Sequence, residues 1–365
     1  MTIPETPIKE WDELEPRYQE LTSRALDDKS AYQFLLDWSD LAKEIEETST
    51  FLNLRSDLNT ADEVASAQLS HFNQITNPKV TVADASLRKR FLILSTPELP
   101  DSASLIRRRM QTDEQAYCEA NVPLEADHAD LVNEFSRLTG NNLAEYEGEK
   151  LTVPQVQVKL HDPDRSVRER VWRAWQRAKL DIAPAQDELF RKMLAVRKRM
   201  AMNLGVGNFR DLIWLKYHRY DYSPKDCADL HNSIAEEVVP FATELLEEHR
   251  KKLGTSSLKP WDFYWKAPVD PEGREPLHPF DDVEQLESRA EAIFSTIDPQ
   301  LGKEFGEFRQ GYMDLGSRPS KMPHAYCASF PKRRMPFVLQ NVVGSEDDIR
   351  VTLHEFGHAF HGYAS

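Results

Sequence analysis

The stretch from Met335 to His361 constrains the fold more than any other. Its first part, Met335-Pro336-Phe337-Val338-Leu339-Gln340-Asn341-Val342-Val343, is the clearest strand signal in the chain and ends at Gly344. A helix is predicted to start at once. Ser345 is a capping residue followed by Glu346, Asp347 and Asp348, acids that favour a first helical turn. From there Ile349, Leu353, Phe356 and Phe360 recur at helical spacing and mark a core-facing stripe. Pro336, near the start of the strand, lacks an amide hydrogen and so suits an edge position.

Beside that apolar stripe the helix carries His354-Glu355-Phe356-Gly357-His358, an H-E-x-x-H pattern. Residues four apart on a helix share a face, so both imidazoles can reach one tetrahedral metal at about 2.0 to 2.1 Å. Glu355 then stands beside the open coordination position, where a carboxylate can take a proton from water. His361 returns to nearly the same face but is displaced along the axis by about 10 Å, seven residues at 1.5 Å each. That is too far for it to share the metal. Known sites that recruit a later histidine turn the chain with a glycine first. Here Gly362 comes after His361.

Composition limits what such a site can serve. A formal charge of -15 argues against a nucleic-acid partner, because phosphate recognition needs a concentrated basic face. Arg107-Arg108-Arg109 and Lys332-Arg333-Arg334 are expected at the solvated surface, the second near enough to the site to meet substrate carboxylates. No apolar run approaches the roughly 18 to 20 residues that span a membrane, and Met1-Thr2-Ile3-Pro4-Glu5 has no signal-peptide character, so a cytoplasmic location is expected. Cys118, Cys227 and Cys327 are odd in number and widely spaced, which reads as three reduced thiols acting as small apolar residues.

Most of the remainder has helical periodicity. With only 13 glycines and 29 % charged residues interleaved in long amphipathic stretches, a mostly α fold is predicted. Segments are expected at Trp11 to Leu26, Ala31 to Leu58, Ala61 to Ile75, Ala83 to Leu94, Ser104 to Ala120 and His128 to Thr139. Around Pro154 a brief strand or irregular connector is expected. Two helices, Asp164 to Leu180 and Ala185 to Leu204, are separated by Pro184, with Trp172 and Trp175 in the core. Ser223-Pro224-Lys225-Asp226 opens a helix to about Leu253, and another runs from Asp281 to about Met313. Between them, Gly254 to Pro279 contains Lys259-Pro260-Trp261-Asp262-Phe263-Tyr264-Trp265 and is expected to be an ordered loop. These boundaries divide the chain into a helical part, 1–150, and a part carrying the motif, 151–365.

Taken together, these residues resemble the thimet oligopeptidase and oligoendopeptidase F group of zinc metallopeptidases. The likeness rests on the His354 to His361 helix, the preceding Pro336 to Asn341, the Trp261-Asp262 element, and Asn203-Leu204-Gly205-Val206-Gly207-Asn208-Phe209-Arg210-Asp211-Leu212 with Arg219-Tyr220-Asp221-Tyr222. The resemblance implies a prolate helical body split by a deep channel, with a small β-sheet beside the zinc helix. It also implies one zinc per chain held by His354 and His358, Glu355 as general base, and short peptides cut at internal bonds. An edge strand there would hold the peptide through the backbone of Phe337, Val338, Leu339, Gln340 and Asn341. The group's third ligand, a Glu, and its transition-state donors lie further along than Ser365. The chain is therefore expected to be the N-terminal part of a longer enzyme and, alone, inactive.

Two other functions fit parts of the pattern. A zinc aminopeptidase shares H-E-x-x-H but needs an acidic anchor for the free amine, and the usual G-x-M-E-N signature is absent. A non-catalytic helical peptide-binding scaffold would have no use for an intact Glu355 between the two histidines.

Overall fold

The computed structural model describes residues 6–95, 97–263 and 277–364. As predicted, the fold is mostly α with a small sheet beside the histidine helix. The first six helices are α1 (Trp11–Ser23), α2 (Ala31–Leu58), α3 (Glu63–His71), α4 (Asn77–Leu92), α5 (Ser104–Ala116) and α6 (Val122–Gly140). A hairpin of β1 (Ala144–Tyr146) and β2 (Glu149–Leu151) leads to α7 (Val153–Lys159), α8 (Arg165–Leu204) and α9 (Phe209–Lys216). Next come α10 (Pro224–Ser233), α11 (Val239–Lys252), α12 (Val283–Ile297) and α13 (Pro299–Phe308), then β3 (Met313–Gly316), β4 (Tyr326–Phe330), β5 (Met335–Val342) and α14 (Glu346–Ala364).

Prolines account for most departures from the predicted boundaries. Pro184 does not divide α8, which runs through it for 40 residues. Interior proline costs about 3 kcal/mol. Packing offsets that loss: Val171, Trp175 and Ala178 bury one half of the helix, and Leu189, Met193 and Met200 the other. No gap separates α3 from α4 either, because the π turn Phe72–Thr76 joins them just before Pro78. The same device, Ile234–Val238 before Pro240, joins α10 to α11. A proline ring collides with the carbonyl four residues back; in both cases that residue lies in the wider π turn, which relieves the clash.

At Pro299 the outcome is reversed. The expected single helix from Asp281 breaks there because Asp298 is extended, as a residue before proline prefers, and caps α13 by accepting from the Gln300 amide. Around Pro154 the chain is helical, not a strand: Thr152 and Gln155 form a capping box and Pro154 occupies the first turn. In the loop after α11, Asp262 is fully buried against Arg165 and Arg168, and Trp261 meets Trp172 edge-on at 5.6 Å. Tyr264 and Trp265 lie outside the described residues.

The three-stranded sheet has the order β3-β5-β4, with β3 parallel and β4 antiparallel to β5. The expected edge strand is thus the central one. Pro336 is accommodated because β3 begins opposite Val338, so at Pro336 the strand has a paired neighbour, Ser329 of β4, on one side only. Val338 and Val342 face α12, α13 and α14, in a cluster with Phe294, Phe305, Phe308 and Phe356. Phe337 and Leu339 face the other way and pack with Phe330 on Leu54 and Leu58 of α2. Helix α2 therefore forms the back of the sheet that carries α14.

Polar contacts strengthen that junction. Tyr326 donates to Asp57 at 2.8 Å, the Met322 amide to the Asp57 carbonyl at 2.8 Å, and Arg318 to the Leu58 carbonyl at 3.0 Å. Lys332 pairs with Asp40 and Glu44, and Arg333 with Glu47, so these two cations clasp α2 and do not serve the site. No helix among the described residues is long and apolar enough to cross a membrane.

Candidate active site

Helix α14 is fixed at its start by an unusually complete cap. The Asp348 carboxylate accepts from the amides of Val343, Gly344 and Ser345 at 3.0, 2.9 and 2.7 Å, and the Asp348 amide donates back to the Ser345 hydroxyl. Gly344 allows this tight reversal with φ of 96°, where a side chain would be strained. Burial pushes the Asp348 carboxyl above its ordinary range, against the opposing effect of those amides. Further along, Phe356 is fully buried among Phe305, Phe308 and Phe294, and Tyr363 donates to Glu307 at 2.8 Å.

With its apolar face committed, the helix turns His354 and His358 outward. Both are exposed, their Nε2 atoms are 3.2 Å apart and their ring planes are perpendicular. Tetrahedral ligands about 2.0 to 2.1 Å from a zinc ion have donor atoms about 3.3 Å apart, so the pair fits two such positions. His361 does not join it, and no group of three or more His, Cys, Asp or Glu poised to share a metal occurs among the described residues.

Glu355 points elsewhere, inward, and only 8 % of it is exposed. Among the described residues nothing hydrogen-bonds or ion-pairs with its carboxylate. Its charge is felt by Cys327 on β4, whose thiol is pushed up to about 12 by burial and then by Glu355. The base candidate therefore lies within electrostatic reach of β4. Cys327, expected to be a bland apolar filler, proves to be its neighbour.

The five strand residues expected to hold a peptide do not offer their backbone. Phe337, Val338, Leu339, Gln340 and Asn341 are 0 to 8 % exposed, and β5 is paired on both sides. Among the described residues β4, which packs against α14, has a partner strand on one side only. Gln340 and Asn341 instead work inward: Gln340 donates to the Asp348 carbonyl at 2.9 Å and accepts from Thr352, and Asn341 donates to the carbonyls of Met322 and His324. A polar pair inside an apolar strand is the one signal that announces such buried bonding beforehand.

A cavity of about 400 Å³ lies at the first turns of α14, walled by Val158 of α7 and His161 just after it, His324 before β4, and Asp347 and Val351 of α14. Asp347, Val351, His354 and His358 fall on one helical stripe, with Val351 one turn, about 4.5 Å, before His354. The part of the cavity wall formed by Asp347 and Val351 thus lies on the same stripe of α14 as the histidine pair.

Comparisons with known proteins agree with this fold. A solved structure provisionally assigned as oligoendopeptidase F superposes with a TM-score of 0.89 at 23 % identity, over 98 % of this chain and 64 % of its own. Another so assigned, from Bacillus anthracis str. Ames, gives 0.90 at 20 % identity, over 98 % and 66 %. PZ peptidase A, solved with an inhibitor, gives 0.87 at 23 % identity, over 99 % and 64 %. These likenesses show the fold, and the chain spans less than two thirds of each relative's length. No curated protein sequence matches the chain. The model of peptidase family M3 matches residues 158–365, more than half of the sequence and all of the site just described, so the chain belongs to peptidase family M3.

Proposed function

We propose that this chain carries the metal-binding helix of a zinc-dependent oligoendopeptidase, which hydrolyses internal bonds of short peptides. One observation carries the reading: two imidazole nitrogens 3.2 Å apart on the open face of α14, with a buried glutamate between them in sequence. His354 and His358 hold one zinc per chain, and the remaining ligand comes from outside the described residues. When bound, zinc supplies Lewis-acid polarisation of the peptide carbonyl and an acidified water.

Glu355 takes the proton from the attacking water and returns it to the leaving amine. Its shielded position beside β4 suits that work, because no cation among the described residues competes for the carboxylate. The substrate backbone pairs with the outer edge of β4, and its flanking side chains reach the cavity at Val351. Residues 1–150 serve as the helical unit backing the sheet, and 151–365 carry the site. Three free thiols support the cytoplasmic setting expected from the sequence.

Cleavage of short internally quenched peptides tests this, using both the 365-residue chain and the longest reading frame that contains it. The longer product is expected to cut peptides blocked at the amino end and to lose that activity in Glu355→Gln, with negligible turnover by the 365-residue chain. Cleavage restricted to free amino ends would instead establish an aminopeptidase, and activity indifferent to Glu355→Gln would remove the base assignment.

A further inference from the structure

Lys321 is 2 % exposed, a rare position for a side chain that almost always keeps its ammonium in water. It lies between β3 and β4 and donates to the Asp314 carboxylate at 2.7 Å, the Asp314 carbonyl at 2.9 Å, the Gly316 carbonyl at 2.9 Å and the Gln340 carbonyl at 2.5 Å. Asp314 is its counter-charge and also receives Arg318 at 2.7 and 3.0 Å. The ammonium therefore ties the end of β3 to the middle of β5.

The tie continues through one residue. Gln340 takes Lys321 on its main chain and α14 on its side chain, donating to the Asp348 carbonyl at 2.9 Å while its Oε1 shares the Thr352 hydroxyl with that carbonyl, at 2.9 and 2.7 Å. Thr352 is fully buried and precedes His354 by two residues. To the aromatic packing around Phe356, the bonds at Asp348 and Thr352 add directional contacts that hold the helix at one roll and height.

We propose that Lys321 is a positioning residue for the metal pair: through Gln340 it sets the roll and height of α14 on the sheet, and so the directions of His354 and His358. The proposal rests on reading those histidines as metal ligands. Partners that orient ligands typically change metal affinity about 10- to 100-fold when removed.

The test uses the longest reading frame that contains the chain, with Co2+ as probe, titrated by its visible absorption well below the unfolding temperature, in wild type, Lys321→Met, Gln340→Met and the double variant. Each single variant is expected to weaken Co2+ about tenfold and alter the absorption bands, and the double variant to be no weaker than the worse single one. A second readout needs no metal: the imidazole 15N resonances of His354 and His358 are expected to shift in Lys321→Met, while those of His71 and His231, on other elements, stay fixed. Unchanged Co2+ affinity together with unchanged imidazole resonances, in a variant that is merely less stable, overturns the proposal. Wild-type Co2+ binding that ignores His358→Ala removes the metal-site reading instead, and the imidazole resonances alone then decide the role of Lys321.

Discussion

Truncating Phe356 to alanine tests whether the aromatic cluster is what seats α14. The ring is fully buried, with centroids of Phe305, Phe308 and Phe294 at 4.6, 6.0 and 6.2 Å. Removing a buried Phe side chain costs about 3 to 5 kcal/mol, the transfer of its atoms plus the cavity left behind. Collapse to fill the gap is hindered, because the neighbouring rings are held by one another and by Phe360, which meets Phe294 at 4.9 Å. The upper half of that range is therefore expected in urea unfolding followed by circular dichroism at 25 °C. Phe356→Leu keeps most of the volume and is expected to cost less than about 1.5 kcal/mol. His354 and His358 are each two residues away, on the opposite face of the helix, so Co2+ binding in the absence of urea should survive in Phe356→Leu. A Phe356→Ala cost under about 1 kcal/mol, or a loss of equal size from the exposed His361→Ala, would refute the reasoning.

Two further outcomes follow from the charge environment. Because Cys327 is pushed up to about 12 by burial and the nearby Glu355 charge, iodoacetamide at pH 8 should label Cys118 and Cys227 first, and Glu355→Gln should speed labelling of Cys327; equal rates in the two proteins would contradict the adjacency. Burial, against the pull of Asp314, lowers Lys321 from 10.5 to about 8. Between those values the unfolded chain binds more protons than the folded one, so Lys321 should make stability rise with pH from about 8 to about 10.5, and Lys321→Met should flatten that rise in urea midpoints measured across the window.

How much of this was legible in sequence differed from element to element for physical reasons. Local signals were sufficient for α2, β5 and α14, where apolar period and capping residues agree. The π turns before Pro78 and Pro240 and the unbroken α8 were not legible, because a proline's local cost says nothing about the packing that offsets it. The histidine pair was readable from its spacing alone. Pairing order was not: Pro336 suggested an edge strand, and only the stagger between β3 and β5 explains how a central strand tolerates it. Lys321 sits in Ser317-Arg318-Pro319-Ser320-Lys321, which has every mark of a solvated loop. Its burial depends on Asp314 and Gln340 arriving from two different strands, a coincidence that no local window contains.

The most direct measurement of the central claim is Co2+ titration of the longest reading frame that contains the chain, in wild type and in single histidine variants. One saturable site per chain is expected, weakened more than about tenfold by His354→Ala and by His358→Ala and unchanged by His361→Ala. A site that survives loss of either His354 or His358, or that fails with His361→Ala, would contradict the assignment of α14 as the metal helix.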